Sequence, residues 1–242
     1  LNFAEKHKMI SKEELKEALK GADMIFITCG LGGGTGSGAT PIIAEIAKKS
    51  GALTLAVVTR PFSFEGAQRE LIAENSRKKL KEKVDTLIAI SNDRLAYILE
   101  PNVTISNAFW FSDEILRQAV QGISDLIVLP GIININFADV KTIMKDSGSA
   151  LFGIGLAKGE GRAEEAARRA LNSPLLDLSC KGAKGVLFNV SGGRDISLTE
   201  IDKVARVITQ EVSPDAKVIF GAVQDEKLKK GEIKVTVIAT GF

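Results

Sequence analysis

Six glycines fall within the nine residues from Gly30 to Gly38, in the stretch Gly30-Leu31-Gly32-Gly33-Gly34-Thr35-Gly36-Ser37-Gly38-Ala39. Ordering so many glycines is entropically unfavourable, and a turn from strand to helix needs only one or two. The apolar run Met24-Ile25-Phe26-Ile27-Thr28 before the stretch has the length and composition of a strand. After it, Pro41-Ile42-Ile43-Ala44-Glu45-Ile46-Ala47 carries apolar residues at helical spacing, so the expected order is strand, glycine loop, and a helix opening at Pro41. Backbone without Cβ atoms can turn its N–H groups onto one concave face, and the following helix adds the positive end of its dipole. The stretch therefore reads as a phosphate cradle. The competing reading, a flexible linker, fits poorly between two apolar segments of a core.

The 242 residues are 45% hydrophobic and 26% charged, enough to bury a sizeable core as one large domain or two small ones. Net charge is +2, with basic and acidic residues interspersed along 12–20 and 162–169, which describes solvated faces and not a nucleic-acid surface. No apolar run reaches spanning length and no signal peptide opens the chain, so a cytoplasmic protein without membrane insertion is expected. Cys29 and Cys180 lack metal-ligand spacing and read as reduced thiols, Cys29 buried at a strand end. His7, the only histidine, reads as a surface residue, which removes His-based triads and most zinc sites. Any catalysis falls to carboxylates, amides, backbone or a bound metal.

Along the chain, Ser11-Lys12-Glu13-Glu14 is a capping-box pattern opening a short helix that Gly21 ends. Residues 52–59 are apolar throughout, as strands covered on both faces are, and strand, helix, strand implies a right-handed parallel unit. A loop over 60–66, a charged helix from about Ala67 to Lys83 and a third strand over 86–90 follow, after which Ser91-Asn92-Asp93 caps a short helix. From Ile105 to about Leu129, apolar Ile105, Phe109, Leu116, Val120, Ile123 and Ile127 predict one long helix, stopped by Pro130-Gly131. The remainder reads as helix 137–146, strand 150–156, helix 162–171, strand 185–190 and a helix opened by the capping box Ser197-Leu198-Thr199-Glu200. Two closing strands, 218–223 and 233–240, are joined by a polar turn. A boundary near Gly131 divides the chain into 1–130 and 131–242.

Glu65 and Arg69 lie beyond the carboxyl end of the second strand, where open parallel sheets bind ligands; a carboxylate there suits ribose hydroxyls and an arginine suits phosphate. The alternative is a solvated i, i+4 pair. Asn92 and Asp113 are polar groups facing the same sheet end, where a carboxylate matches the paired donors of guanine; the alternatives are a plain N-cap and a surface position. Phe109, one turn before Asp113, could stack on a base or belong to the core. Asn134, Asn136 and Asp139 occupy a loop and the first turn of the next helix, where capping alone would explain them.

The stretch Gly32-Gly33-Gly34-Thr35-Gly36-Ser37-Gly38 resembles the tubulin signature loop. With Phe62-Ser63-Phe64-Glu65-Gly66, Ser91-Asn92-Asp93-Arg94-Leu95 and Asn134-Ile135-Asn136-Phe137-Ala138-Asp139-Val140, the chain is similar to the tubulin/FtsZ family of cell-division GTPases, over essentially its whole length to Phe242. The resemblance implies an α/β fold: a parallel, Rossmann-like GTPase sheet, N-terminally truncated, joined by the long central helix to a smaller α/β domain with a mixed sheet. It implies GTP or GDP as ligand, with Mg²⁺ bound mainly through the phosphates, and a head-to-tail homopolymer that meets division adaptor proteins. Gly30, Gly32, Gly33, Gly34, Thr35 and Gly36 would hold the phosphates, Glu65 and Arg69 ribose and phosphate, and Phe109 the base, with Asn92 and Asp113 reading guanine. Asn134, Asn136 and Asp139 would enter the neighbouring subunit's pocket and position the attacking water.

Two departures matter. The chain begins at the helix before the Met24 strand, whereas the family has an earlier strand and a first phosphate loop; with Leu1 in place of a starting Met, this reads as a fragment expected to bind GTP weakly or not at all. Asn136 stands where the family usually has an aspartate, and an amide cannot accept a proton, so slower GTP turnover with polymerisation retained is expected. Two other functions compete. A non-hydrolysing assembly module of the same fold would suit Asn136. A dinucleotide-dependent oxidoreductase is suggested by G-x-G-x-x-A within Gly34–Ala39, but the second strand ends in Thr59-Arg60 with no acidic residue for a ribose hydroxyl.

Overall fold

The computed structural model describes residues 12–96, 99, 102–128, 131–173 and 180–242. The readings made for His7, the Ser11 cap and the stop at Pro130 lie outside them. The chain divides into two compact units, residues 1–120 with 144–149, and residues 121–143 with 150–242. Among the described residues no helix is long and apolar enough to cross a membrane.

In the first unit a short helix α1 (Lys12–Ala18) precedes strand β1 (Met24–Gly30), helix α2 (Gly34–Lys49) and strand β2 (Leu53–Arg60). A 3₁₀ turn (Ser63–Glu65), helix α3 (Ala67–Lys81), strand β3 (Thr86–Ser91) and the short helix α4 (Asn92–Ala96) follow. The three strands pair in parallel in the order β1-β2-β3, with Ile25 opposite Thr54 and Val57 opposite Ile88. The central strand β2 is buried from Leu53 to Thr59, as its unbroken apolar composition requires of a strand covered on both faces. Ile25, Ile27, Ala44, Ala47, Ala56, Val58, Ala73, Leu80 and Leu87 form one core between the strands and helices α2 and α3. Each fully buried leucine in it contributes about 2 kcal/mol. At the amino ends of the strands the Asp85 carboxylate accepts from Thr54 N (2.8 Å) and lies 3.4 Å from Lys48 Nζ, which also reaches Asp146 (2.7 Å). That end is closed by ion pairs, leaving the carboxyl ends for loops.

The helix after the glycine loop begins at Gly34, seven residues before the expected start at Pro41, and carries the proline inside it. The long helix α5 (Ile105–Val128) has 24 residues, about 36 Å by its rise per residue, and the division between the units falls within it. Its buried stripe is Ala108, Ser112, Ile115, Ala119, Ile123 and Leu126, not the expected row through Ile105 and Phe109, which are 66% and 40% exposed. Small residues in the observed stripe permit close approach, which periodicity of the larger apolar residues does not register.

In the second unit helix α6 (Phe137–Met144) leads to strand β4 (Gly148–Lys158), helix α7 (Arg162–Leu171), strand β5 (Gly185–Gly192), helix α8 (Leu198–Glu211) and strands β6 (Lys217–Gln224) and β7 (Glu232–Thr240). The order is β4-β7-β5-β6, with β7 antiparallel to both neighbours and β5 parallel to β6. The two closing strands are therefore not partners, although one turn joins them. The strand with apolar residues on both faces, β7, takes a central place, and the half-exposed β6 takes the edge. Gly153 and Gly155 let β4 lie against α7, since added Cβ atoms would stand 2.1 and 2.0 Å from the carbonyls of Ala170 and Ala166. Ser197 caps α8 as expected: Glu200 N donates to Ser197 Oγ (3.3 Å) and Ser197 N to the Glu200 carboxylate (2.9 Å). Buried Arg162 meets Glu200 (2.5 Å) and Asp195 (2.9 Å), tying the start of α7 to the start of α8. An α/β fold with parallel strands in one unit and a mixed set in the other is the architecture that the sequence implies.

Candidate functional site

The parallel register sets Gly30 opposite Thr59 and Arg60 opposite Ser91, so three loops leave the sheet at one edge. The first is shorter than the run of glycines. Leu31 N still donates to Thr59 O (2.8 Å), and the loop turns at Gly32, whose φ of 102° lies in the region open to glycine. Gly33 is the N-cap of α2, extended at φ −93° and ψ 173°, with no side chain capping the helix and no acidic residue in its first turn. The first helical bond runs from Ser37 N to Gly33 O (3.2 Å), so the N–H groups of Gly34, Thr35 and Gly36 have no acceptor within the helix. Gly33, Gly34 and Thr35 are exposed. An uncapped, uncharged helix start with bare backbone around it is a place for an anion.

Two constraints hold this start against the sheet. A Cβ on Gly36 would lie 2.1 Å from Gly30 O, so the first turn of α2 rests on the end of β1. Gly32 N donates to the buried Ser37 Oγ (2.8 Å), while Ser37 O accepts from Ser76 Oγ (2.9 Å) of α3. Sequence reasoning missed Ser76, which sits in an otherwise charged helix; the available signal was Pro41, which leaves a carbonyl four residues earlier without its helical donor. Cys29, expected to be buried, is half-buried; burial pushes its thiol up, against a bond from Thr40 Oγ1 (3.2 Å).

In the second loop Glu65 Oε1 accepts from Phe62 N (2.9 Å) and Oε2 from Arg69 Nη1 (2.5 Å). The carboxylate is 11% exposed and the arginine 57%. The i, i+4 pair is thus present, with its acid half turned inward and its basic half turned to solvent. Phe62 is buried, stacks on Phe64 (5.0 Å, 15°) and meets Phe109 edge-on (5.5 Å, 90°), making a shelf whose outer rings are exposed. Asp113 is exposed one turn beyond Phe109.

In the third loop Asn92 does not cap α4 as expected. It is the first helical residue, and its Oδ1 is buried with no hydrogen-bond partner among the described residues, while Asp93 Oδ1 accepts from Ser63 N (2.8 Å). A buried acceptor without a donor is uncommon in a folded protein. The structure thus gathers the glycine loop, Glu65, Arg69, Asn92 and Phe109 around one edge of the first unit.

In the second unit Asn134 Oδ1 accepts from Gly131 N (2.7 Å), and Ile132 and Ile133 bond to Ala222 of β6. Asn136 caps α6, its Oδ1 accepting from Asp139 N (2.8 Å). Asn134 and Asn136 are exposed, and Asp139 is half-exposed in the first turn. Elsewhere, an open groove of about 590 Å³ lined by Lys12, Lys16, Lys20, Glu45 and Lys49 lies along the carboxyl half of α2, away from the glycine loop. Among the described residues no group of three His, Cys, Asp or Glu side chains could hold a metal ion.

Residues 2–100 match the tubulin/FtsZ family GTPase domain, and residues 148–242 match the C-terminal domain of the FtsZ family. A solved FtsZ dimer from M. jannaschii, described as empty, is 47% identical with a TM-score of 0.90, over 95% of this chain and 66% of that one. A point mutant of FtsZ from the same organism is 45% identical with a TM-score of 0.93, over 98% and 71%. CetZ2 from Haloferax volcanii, solved as a GTPγS-bound protofilament, shares the fold at 21% identity and a TM-score of 0.77, over 94% and 69%. The chain spans about two thirds of the length of these proteins. From the signature loop through the closing strand, the chain belongs to the tubulin/FtsZ family.

Proposed function

We propose that the protein binds GTP at the carboxyl edge of β1–β3, assembles head to tail with further copies of itself, and hydrolyses the nucleotide where two copies meet. The uncapped start of α2 carries this reading: three N–H groups lack helical acceptors on backbone that only glycine allows to sit so close to β1. The orphaned Asn92 Oδ1 supports a base with N–H donors, and the Phe62, Phe64 and Phe109 shelf supports a flat ring. Arg69, exposed beside the loop, is free to swing from Glu65 to a phosphate oxygen, releasing the carboxylate for ribose hydroxyls. Asp113 would take the paired donors of guanine. Mg²⁺ would be held through the phosphates, there being no carboxylate in the first turn of α2, and would neutralise their charge. Assembly is supported by the FtsZ dimer of M. jannaschii, at 47% identity.

For hydrolysis the exposed loop of Asn134, Asn136 and Asp139 would act on a neighbour's nucleotide. Asp139 is its one carboxylate, since Asn136 is an amide whose oxygen is already occupied by the cap. That observation favours the second reading, an assembly subunit with little turnover. Aspartate caps a helix as well as asparagine, so Asn136→Asp keeps α6 and adds a carboxylate. Phosphate release per subunit should rise by about 10²-fold or more, with GTP affinity unchanged, in the protein carrying any residues its gene encodes upstream of Leu1. An unchanged rate would refute the role given to this loop. Assembly that responds to NADPH and not to GTP would refute the nucleotide.

A further inference from the structure

We infer that Ser76, which lies outside the stretches that carry the family resemblance, is a positioning residue that holds the phosphate-binding turn in register with Arg69; the inference rests on the nucleotide reading above. In an uninterrupted helix the Ser37 carbonyl accepts from the N–H of residue 41, but Pro41 has none. Ser37 and Ser76 are 8% and 3% exposed, so water does not take the vacant place, and Ser76 Oγ–H supplies the donor at 2.9 Å. The same Ser37 receives Gly32 N–H on its hydroxyl at 2.8 Å. Two bonds in series thus run from α3 through Ser37 to the residue at which the loop turns.

A second contact completes the grip. A Cβ on Gly32 would lie 3.2 Å from the carbonyl of Arg69. Arg69 and Ser76 are seven residues apart, two turns along one face of α3. Helix α3 therefore touches the glycine loop directly at Arg69 and, through Ser37, at Ser76. The guanidinium offered to a phosphate is carried by α3 and the N–H groups of Gly34 to Gly36 by α2, and the Ser76 hydroxyl, joining α3 to Ser37, sets the angle between them. Without it the Ser37 carbonyl must find another donor, and the first turn of α2 tilts away from Arg69.

The test is a cycle between Ser76 and Pro41. Ser76→Ala should speed amide exchange at Gly32 and Ser37 by about tenfold, the loss of one ordinary hydrogen bond. It should weaken GDP binding and raise KM for GTP by a similar factor, with kcat unchanged, because positioning for binding is lost and not a transition-state contact. Ser76→Thr restores the hydroxyl and should restore both. Pro41→Ala restores the missing N–H, so Ser76→Ala in that background should have no effect on exchange or affinity. A purely space-filling role for Ser76 would leave the two substitutions additive, and additivity overturns the inference. So does wild-type exchange at Gly32 in Ser76→Ala. If the protein with its natural amino terminus binds no GDP, the nucleotide reading falls, and the exchange cycle, which needs no ligand, still decides the mechanical linkage.

Discussion

Gly36→Ala tests whether the helix start is set by its contact with the strand end. The new Cβ would stand 2.1 Å from Gly30 O, 3.2 Å from Gly30 C and 3.5 Å from Cys29 Cβ. Carbon and oxygen in contact normally keep about 3.3 Å, so helix and strand must part by roughly an ångström, and with both clashing atoms on backbone no rotamer change relieves it. Overpacking of this kind costs about 1–3 kcal/mol. The parting also weakens the bond from Gly32 N to Ser37 Oγ, a net loss of about 1 kcal/mol. Against this, alanine is the better helix former by at most about 1 kcal/mol, and by less in a first turn. The balance is a destabilisation of about 2 kcal/mol, or roughly 8 °C in the melting of a unit this size. Gly33→Ala is the comparison, since Gly33 has ordinary extended backbone and open space where a Cβ would go, and it should change stability by less than about 0.5 kcal/mol. Melting followed by circular dichroism, with urea midpoints as a second measure, distinguishes the two. Equal midpoints for both variants, or a more stable Gly36→Ala, would refute the argument.

Arg162→Met should destabilise the second unit by about 2 kcal/mol, less than for a fully buried pair because Asp195 and Glu200 are 31% and 21% exposed, and urea unfolding measures it. The Glu200 carboxyl is held below its ordinary 4.5 first by its bond to Arg162, against burial. The folded state then releases this proton more readily than the unfolded one, so the stabilisation is complete above about pH 4.5 and is lost as pH falls through the lowered value. Melting temperatures from pH 6 to pH 3 should fall less steeply in Arg162→Met, and parallel curves would refute the linkage. Burial first, and then Glu211, pushes the Cys180 thiol up to about 11, and burial raises Cys29 as well. At pH 8 an aromatic disulfide reagent should label neither promptly in the native protein and both in urea; immediate labelling of one native thiol would show that its burial is wrong.

Local chemistry made several features legible before any fold was known. The capping box at Ser197 and Glu200, the helix over Arg162–Leu171 and the loop that joins strand to helix at Gly30 each depend on residues within a few positions of one another. Sequence by itself therefore determined the α/β class, the strand, glycine loop and helix unit, and the family to which they belong. Only tertiary structure decided where α2 begins: the Ser37 carbonyl, which Pro41 leaves without its helical donor, is met by Ser76 Oγ from another helix. It decided that β7 enters between β4 and β5, since a strand buried on both faces needs neighbours on both sides whatever turn precedes it. It left Asn92 Oδ1 without a partner among the described residues and gave the cap of α6 to Asn136. In each case the deciding atom is either distant in the chain or one of several equivalent local choices, and periodicity and spacing carry no record of which neighbour completes a hydrogen bond.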